Sequence, residues 1–315
     1  MRNLLRVAVI GVGHFGREHA RVYSASPNAT LVAVCDLNQA VAAAAAEQLG
    51  VAATIDYSEL IGEVDAVTVA VPTVDHRKVA LAFLNAGKAV LVEKPIAFTV
   101  QEAADLVQAA RLNNAILQVG HLERFNPAIV SAGEIVTQPR FFEAHRLSPF
   151  TPRSLDIDVV MDLMIHDLDI VLSFVKSPVI EVRAAGIPVL TPRTDIANAR
   201  IEFENGCIAN LTASRVSGER VRKLRFFQPQ QYVSLDYTAQ EATVVSVIPA
   251  AAGLPEIRSE LLTSERSEPL SLEIESFLDA ASKRTPVKVT GEDGLNALRL
   301  ALTINERVRE HALRL

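Results

Sequence analysis

Four side chains in one apolar stretch have the types and spacing for acid–base chemistry. Asp158, Asp162, His166 and Asp169 recur at intervals of four, four and three within 154–174, where most other side chains are apolar. On a helix at about 100° per residue they form one narrow polar stripe along a rod otherwise suited to burial. Burying unpaired carboxylates is costly, so the stripe needs water, mutual partners or a ligand. Helical spacing sets Asp162 and His166 one turn apart, where a carboxylate can orient an imidazole and stabilise its protonated form. An imidazole titrating at about pH 7 is suited to taking the proton of an alcohol. Two other uses of these residues stay open here: a metal site, for which no third ligand has clear spacing, and a solvated polar face. Asp158 and Asp169 could edge a cleft. Asp167 faces the apolar side and reads as a buried carboxylate that needs an arginine or backbone partner.

A second constellation is GVGHFG, Gly11 to Gly16, which follows a β-branched run and opens a helical pattern. Glycine triples alone are weak evidence. Here Asp36 answers them at the end of the next strand-like run, about 20 residues further on, as a dinucleotide fingerprint requires. Gly11 permits the tight turn, Gly13 the approach of a pyrophosphate, and Gly16 close packing of helix on strand. Asp36 can accept both ribose hydroxyls and would repel a 2′-phosphate, which favours NAD over NADP; its bland use is as a helix cap. Lys94, in Glu93-Lys94-Pro95 at a strand end, could reach a substrate hydroxyl near a nicotinamide, or could be a solvated lysine.

Alternating elements position these groups. Strands are expected at 4–10, 31–35, 51–55, 64–71, 88–92 and 115–119, with helical segments at 16–24, 39–49, 56–61, 76–86 and 100–113. Apolar strands joined by helices indicate a doubly wound parallel sheet covered on both faces, the Rossmann α/β architecture, over residues 1–122. Beyond Gly120 consecutive strands are expected at 141–147, 179–185, 199–203, 208–214, 224–228, 232–236 and 242–248. Residues 123–315 thus read as an α+β domain built on an open antiparallel sheet. Closing helices are expected at 272–282 and 295–312, the last packing back on the first domain.

The 315 residues are 49% hydrophobic and 22% charged, an ordinary globular composition. The net charge of −6 and scattered basic residues suggest neither a nucleic-acid surface nor a membrane patch. Cys35 and Cys207 fit no disulfide or zinc pattern and read as reduced core residues. No leader or membrane-spanning run is apparent, so a cytoplasmic location is expected.

GVGHFG, Asp36, EKP, GHLERFNP at Gly120 to Pro127, and D-x-x-x-H at Asp162 to His166 together resemble the glucose–fructose oxidoreductase and inositol dehydrogenase (Gfo/Idh/MocA) family. The resemblance implies a sugar-like substrate held between a Rossmann domain and an open-sheet domain, with Lys94, Asp162 and His166 as the catalytic group. It places the NAD site at Gly11, Gly13, His14, Phe15, Gly16, Asp36, Val71, Pro72, Thr73, His76, Glu93, Lys94 and His121. One departure is visible: the family often has P-N-x-x-H where this chain has Pro72-Thr73-Val74-Asp75-His76. GHLERFNP and MDLMIHDLDIVLS look most like a subgroup that oxidises the 3-hydroxyl of UDP-N-acetylglucosamine in making lipid A precursors. A nucleotide sugar carries a diphosphate, and Arg124, Arg146 and Arg153 are candidate cations for it, with Phe125 and Asn126 beside them. Inositol or a free aldose is the alternative substrate. A non-catalytic dinucleotide sensor is the alternative class, and a homo-oligomer formed through the second sheet is expected.

Overall fold

The structure is a computed structural model describing residues 4–151, 157–250, 254–262 and 265–313. The chain divides into two compact units, Met1–Leu122 with Glu268–Leu298, and Glu123–Ser267 with Arg299–Leu315.

The first unit alternates β1 (Leu5–Ile10), α1 (His14–Ala25), β2 (Ala29–Cys35), α2 (Gln39–Leu49), β3 (Ala52–Thr54), β4 (Ala66–Val69), α3 (Thr73–Asn85), β5 (Ala89–Glu93), α4 (Val100–Leu112) and β6 (Leu117–Gly120). All strand pairs are parallel, in the order β3-β2-β1-β4-β5-β6. Val7, Val9, Val67, Val90 and Leu91 are fully buried, as expected of strands covered on both faces. The order reverses at β1 and β4, and ligands of such sheets bind outside the carboxyl ends at that point. Helix α1 begins before the expected residue 16, because Gly13 serves as its N-cap. The helical segment expected at 56–61 is a single 3₁₀ turn, Tyr57–Leu60, capped by Asp56.

The second unit contains α5 (Pro127–Ile135), β7 (Phe141–Leu147), a π-helix (Val160–Met164) running into α6 (Ile165–Val175), β8 (Val179–Ile187), β9 (Ile196–Phe203), β10 (Ile208–Ser214), β11 (Val221–Gln228), β12 (Gln231–Asp236), β13 (Glu241–Ile248) and β14 (Glu256–Leu262). The eight-stranded sheet runs β14-β13-β12-β11-β7-β10-β9-β8. It is mostly antiparallel as expected, but β10 pairs with β7 in parallel, across the long connection that carries α6. Edge strand β14 was not foreseen: its residues are largely exposed, so burial imposes no alternation on its sequence. Helix α5 was also not foreseen, although Asn126 at its N-cap and Pro127 in its first turn mark a helix start.

Helices α7 (Pro269–Lys283) and α8 (Gly291–Ala312) close the chain. Leu270, Ile274, Phe277 and Leu278 of α7 share one core with Val7, Val9, Leu31 and Leu91. This helix, read from sequence as part of the second domain, therefore packs in the first unit. Helix α8 begins in the first unit, where Gly294 lies against Val119, and ends in the second. Cys35 and Cys207 are free and buried, and burial pushes both thiols up to about 11, which keeps them protonated. Among the described residues no helix is long and apolar enough to cross a membrane.

Candidate active site

The glycine loop is built for close approach. Gly11 has φ +87°, and a Cβ there would lie 2.7 Å from the Ala70 and Val71 backbone. A Cβ on Gly16 would lie 1.8 Å from the Gly11 carbonyl oxygen, so α1 packs directly on the turn. A Cβ on Gly13 would meet nothing within 4 Å, which leaves that side open to a pyrophosphate. The helix start has no side-chain cap and no acid in its first turn, so its N–H groups and dipole favour an anion. Asp36 binds the loop to β2: Oδ2 accepts from Val12 N–H at 3.0 Å, and Oδ1 accepts from Asn38 N–H at 2.9 Å. Its remaining lone pairs can accept ribose hydroxyls. Beside it lies a cavity of about 530 Å³, lined by Gly11, Gly13, Asp36, Leu37, Val71 and Pro72 among others. These residues fit NAD. Asp36→Asn is expected to weaken NAD binding by roughly ten- to a hundredfold and to narrow the preference over NADP, as read by fluorescence titration with each cofactor.

Other residues on the expected cofactor side divide by burial. His14 and Phe15 are exposed at the start of α1, and Thr73 is half-buried at the start of α3. His76 is buried, with its two ring nitrogens 3.0 Å from the Pro95 carbonyl oxygen and 2.9 Å from that of Val71. It joins the loops after β4 and β5, and burial pulls its pKa down against those carbonyls. His121 is buried at the end of β6. Neither residue is among those that line the cavity beside Asp36.

Lys94 is half-buried just beyond β5, and its peptide bond to Pro95 is cis. The preceding Glu93 holds it. Glu93 Oε1 accepts from His19 Nε2 at 2.8 Å, and Oε2 accepts from the Lys94 backbone N–H at 3.3 Å. Burial pushes the Glu93 carboxyl up, but the His19 hydrogen bond and the charges of His19 and Lys94 outweigh it, so the group stays below the usual carboxylate range.

In the second unit the polar stripe separates into different tasks. Residues 154–156 of the expected helix lie outside the described residues, and regular structure begins only at Val160. There Ile165 N–H reaches the Val160 carbonyl, five residues back, so Asp162 sits in a widened turn, a feature frequent at functional sites. Asp158 caps this turn: Oδ1 accepts from Val160 and Met161 N–H, both at 3.0 Å, and Oδ2 accepts from Asn305. Asp169 is buried and ion-paired with Arg124 at 3.4 Å. The cleft-edge role considered for both is thus replaced by structural roles. Asp162 and His166 remain, both half-buried.

The arginine that Asp167 needs is Arg146. Its Nε and Nη2 donate to the two Asp167 oxygens at 2.8 and 3.0 Å, and Nη1 donates to Glu123 at 2.9 Å. Arg146 is 3% exposed, stacks over the Tyr237 ring, and is committed to this network rather than displayed to a phosphate. Asn126 is also internal, capping α5 and donating to the Tyr237 carbonyl, and Phe125 is 2% exposed. Arg153 lies outside the described residues.

Sequence reasoning missed Arg222. It is half-buried on β11 opposite Arg146 of β7, and it has no ion-pair partner among the described residues. Burial and the neighbouring Arg146 charge pull its pKa down, so an anionic ligand would relieve it. The dense cationic run Arg220-Val221-Arg222-Lys223 was its only trace in sequence.

Comparison with known proteins decides the family. Residues 5–121 match the model of the oxidoreductase family with NAD-binding Rossmann fold, and 129–228 match the GFO/IDH/MocA C-terminal domain. The chain belongs to the Gfo/Idh/MocA oxidoreductases. It is 39% identical to the UDP-N-acetylglucosamine 3-dehydrogenase of Acidithiobacillus ferrooxidans, over 96% of this chain and 97% of that one. A solved structure of an enzyme of that name and organism superposes with TM-score 0.92 at 38% identity, covering 98% and 99% of the two chains. The inositol 2-dehydrogenase of Rhizobium meliloti is 27% identical over 94% of each chain. As a Gfo/Idh/MocA member the chain is an oxidoreductase with the family's NAD-binding fold.

Proposed function

We propose that this enzyme oxidises the 3-hydroxyl of UDP-N-acetylglucosamine to the 3-keto sugar, in the precursor route to lipid A that the resemblance implies. The observation that carries this reading is the end-to-end similarity to the Acidithiobacillus ferrooxidans dehydrogenase. NAD, when bound, supplies the hydride acceptor. His166, oriented by Asp162, takes the hydroxyl proton, and Lys94 donates a hydrogen bond to the same oxygen and stabilises charge that develops there. The widened turn at Asp162 and the Glu93 brace on Lys94 support these roles, because a proton-transfer set must be held rigidly.

With Arg146 occupied internally, Arg222 is the better candidate for the diphosphate. Arg222→Ala is expected to raise KM for the nucleotide sugar by roughly tenfold or more with kcat less affected, as read by steady-state kinetics. The exposed side of the second sheet supports a homo-oligomer: Phe141, Phe227 and Tyr232 form an aromatic row, and Ile180 and Ile257 are exposed. A cytoplasmic location belongs to the same proposal, since the reaction draws on soluble NAD and a nucleotide sugar.

The test is NADH formation across a panel of UDP-sugars, inositols and free aldoses. Preference for UDP-N-acetylglucosamine is expected. Preference for inositol would move the assignment within the family, and NAD binding without turnover on any sugar would favour a sensor.

A further inference from the structure

Beneath Lys94 lies a buried cluster that the reaction does not use directly. His19 of α1, Glu93 of β5 and Glu273 of α7 each bring one polar side-chain atom to within 4.8 Å of the other two. His19 and Glu273 are fully buried. Among the described residues neither Glu273 oxygen has a hydrogen-bond partner, and nor does His19 Nδ1. The groups facing Glu273 are His19 and Tyr23 from α1, Glu93 from β5, and Gln118 from β6, which donates to the Glu273 carbonyl at 3.2 Å. Tyr23 is itself satisfied by Thr68 at 2.8 Å.

Charge counting constrains this arrangement. Glu93 has its donors, His19 on Oε1 and the Lys94 amide on Oε2, and so is the ionised member. A second carboxylate beside it, without donors and out of water, would be an unpaired buried charge. A neutral acid can instead turn its O–H toward Glu93 and needs no counter-ion. Burial and the Glu93 charge both act in that direction on Glu273.

We propose that Glu273 is a positioning residue for Lys94: as a neutral carboxylic acid it braces the Glu93 carboxylate, whose other oxygen holds the Lys94 backbone amide. The linkage to catalysis rests on the role proposed for Lys94, whereas the protonation state can be read without substrate. No residue of this trio needs to touch the sugar. The position is set by α7, which places an acid among Leu270, Ile274 and Phe277 on its buried face.

The first measurement is infrared spectroscopy of the full-length protein at neutral pH. A protonated-carboxyl C=O band is expected in the wild type and is lost in Glu273→Gln. The second is thermal stability against pH. Glu273 takes up a proton on folding, so its folded pKa lies above the unfolded value of about 4.3; wild-type stability then falls, relative to Glu273→Gln, as pH rises above that value. The melting temperature of Glu273→Gln relative to that of the wild type is therefore expected to rise as pH is raised above about 4.3. The third is kinetic. Glu273→Gln, which keeps a neutral donor, is expected to hold kcat near the wild-type value, whereas Glu273→Ala is expected to lose roughly tenfold or more in kcat with NAD affinity kept. Absence of the band, a stability difference independent of pH, or equal kinetic damage in both variants would overturn the proposal. So would a stoichiometric divalent metal in the purified protein that Glu273→Gln removes. If the band and stability results hold but neither variant changes turnover, the brace on Lys94 is refuted while the substrate assignment stands.

Discussion

His166→Ala and Lys94→Ala are each expected to lower turnover by about 10²–10⁴-fold while leaving NAD affinity little changed. The cofactor contacts assigned above lie in the glycine loop and at Asp36, so neither truncation removes them. His166→Ala is also expected to abolish the inflection of kcat/KM in the pH range where imidazoles titrate, and Asp162→Asn to disturb the same limb by releasing the ring. Lys94→Ala should lower the rate but keep that inflection. If the two groups serve one oxygen, the double variant loses less than the product of the single losses. Steady-state pH profiles with cofactor titrations read all of these, and wild-type turnover in either single variant would remove that residue from the mechanism.

The second large effect is on stability. Arg146→Ala is expected to destabilise the protein by about 3–5 kcal/mol, because Asp167, 2% exposed, would be left as a buried unpaired charge beside Glu123. At about 2 cal/mol/K of unfolding entropy per residue, each kcal/mol lowers Tm by roughly 1.5 °C in a chain of 315 residues, so calorimetry resolves the change. Replacing Arg146 and Asp167 together by apolar residues is expected to recover much of the loss, since removing both charges leaves none orphaned. A residue reserved for a substrate phosphate would behave oppositely, raising KM with Tm unchanged. The alanine variant therefore separates the internal role seen in the structure from the diphosphate role that the sequence resemblance suggested.

Local chemistry carried much of the architecture into the sequence. The parallel sheet was legible because strands buried on both faces must be apolar throughout, and the nucleotide loop because only glycine tolerates the contacts at positions 11 and 16. Asp162 and His166 stood out because charge on an apolar helix needs a reason. Tertiary structure alone decided which partner each charge had. Arg146 and Asp167 lie 21 residues apart, and His19, Glu93 and Glu273 come from three elements, so no local spacing encodes their contacts. The π turn at Val160–Met164 was likewise invisible, since a single widened turn leaves the apolar pattern almost intact. The placement of α7 escaped for a similar reason: its apolar stripe shows that it packs, but only the sheet it meets says where. Periodicity records that a side chain is buried; long-range folding chooses its neighbour, and the neighbour decides whether a buried charge braces the fold or performs chemistry.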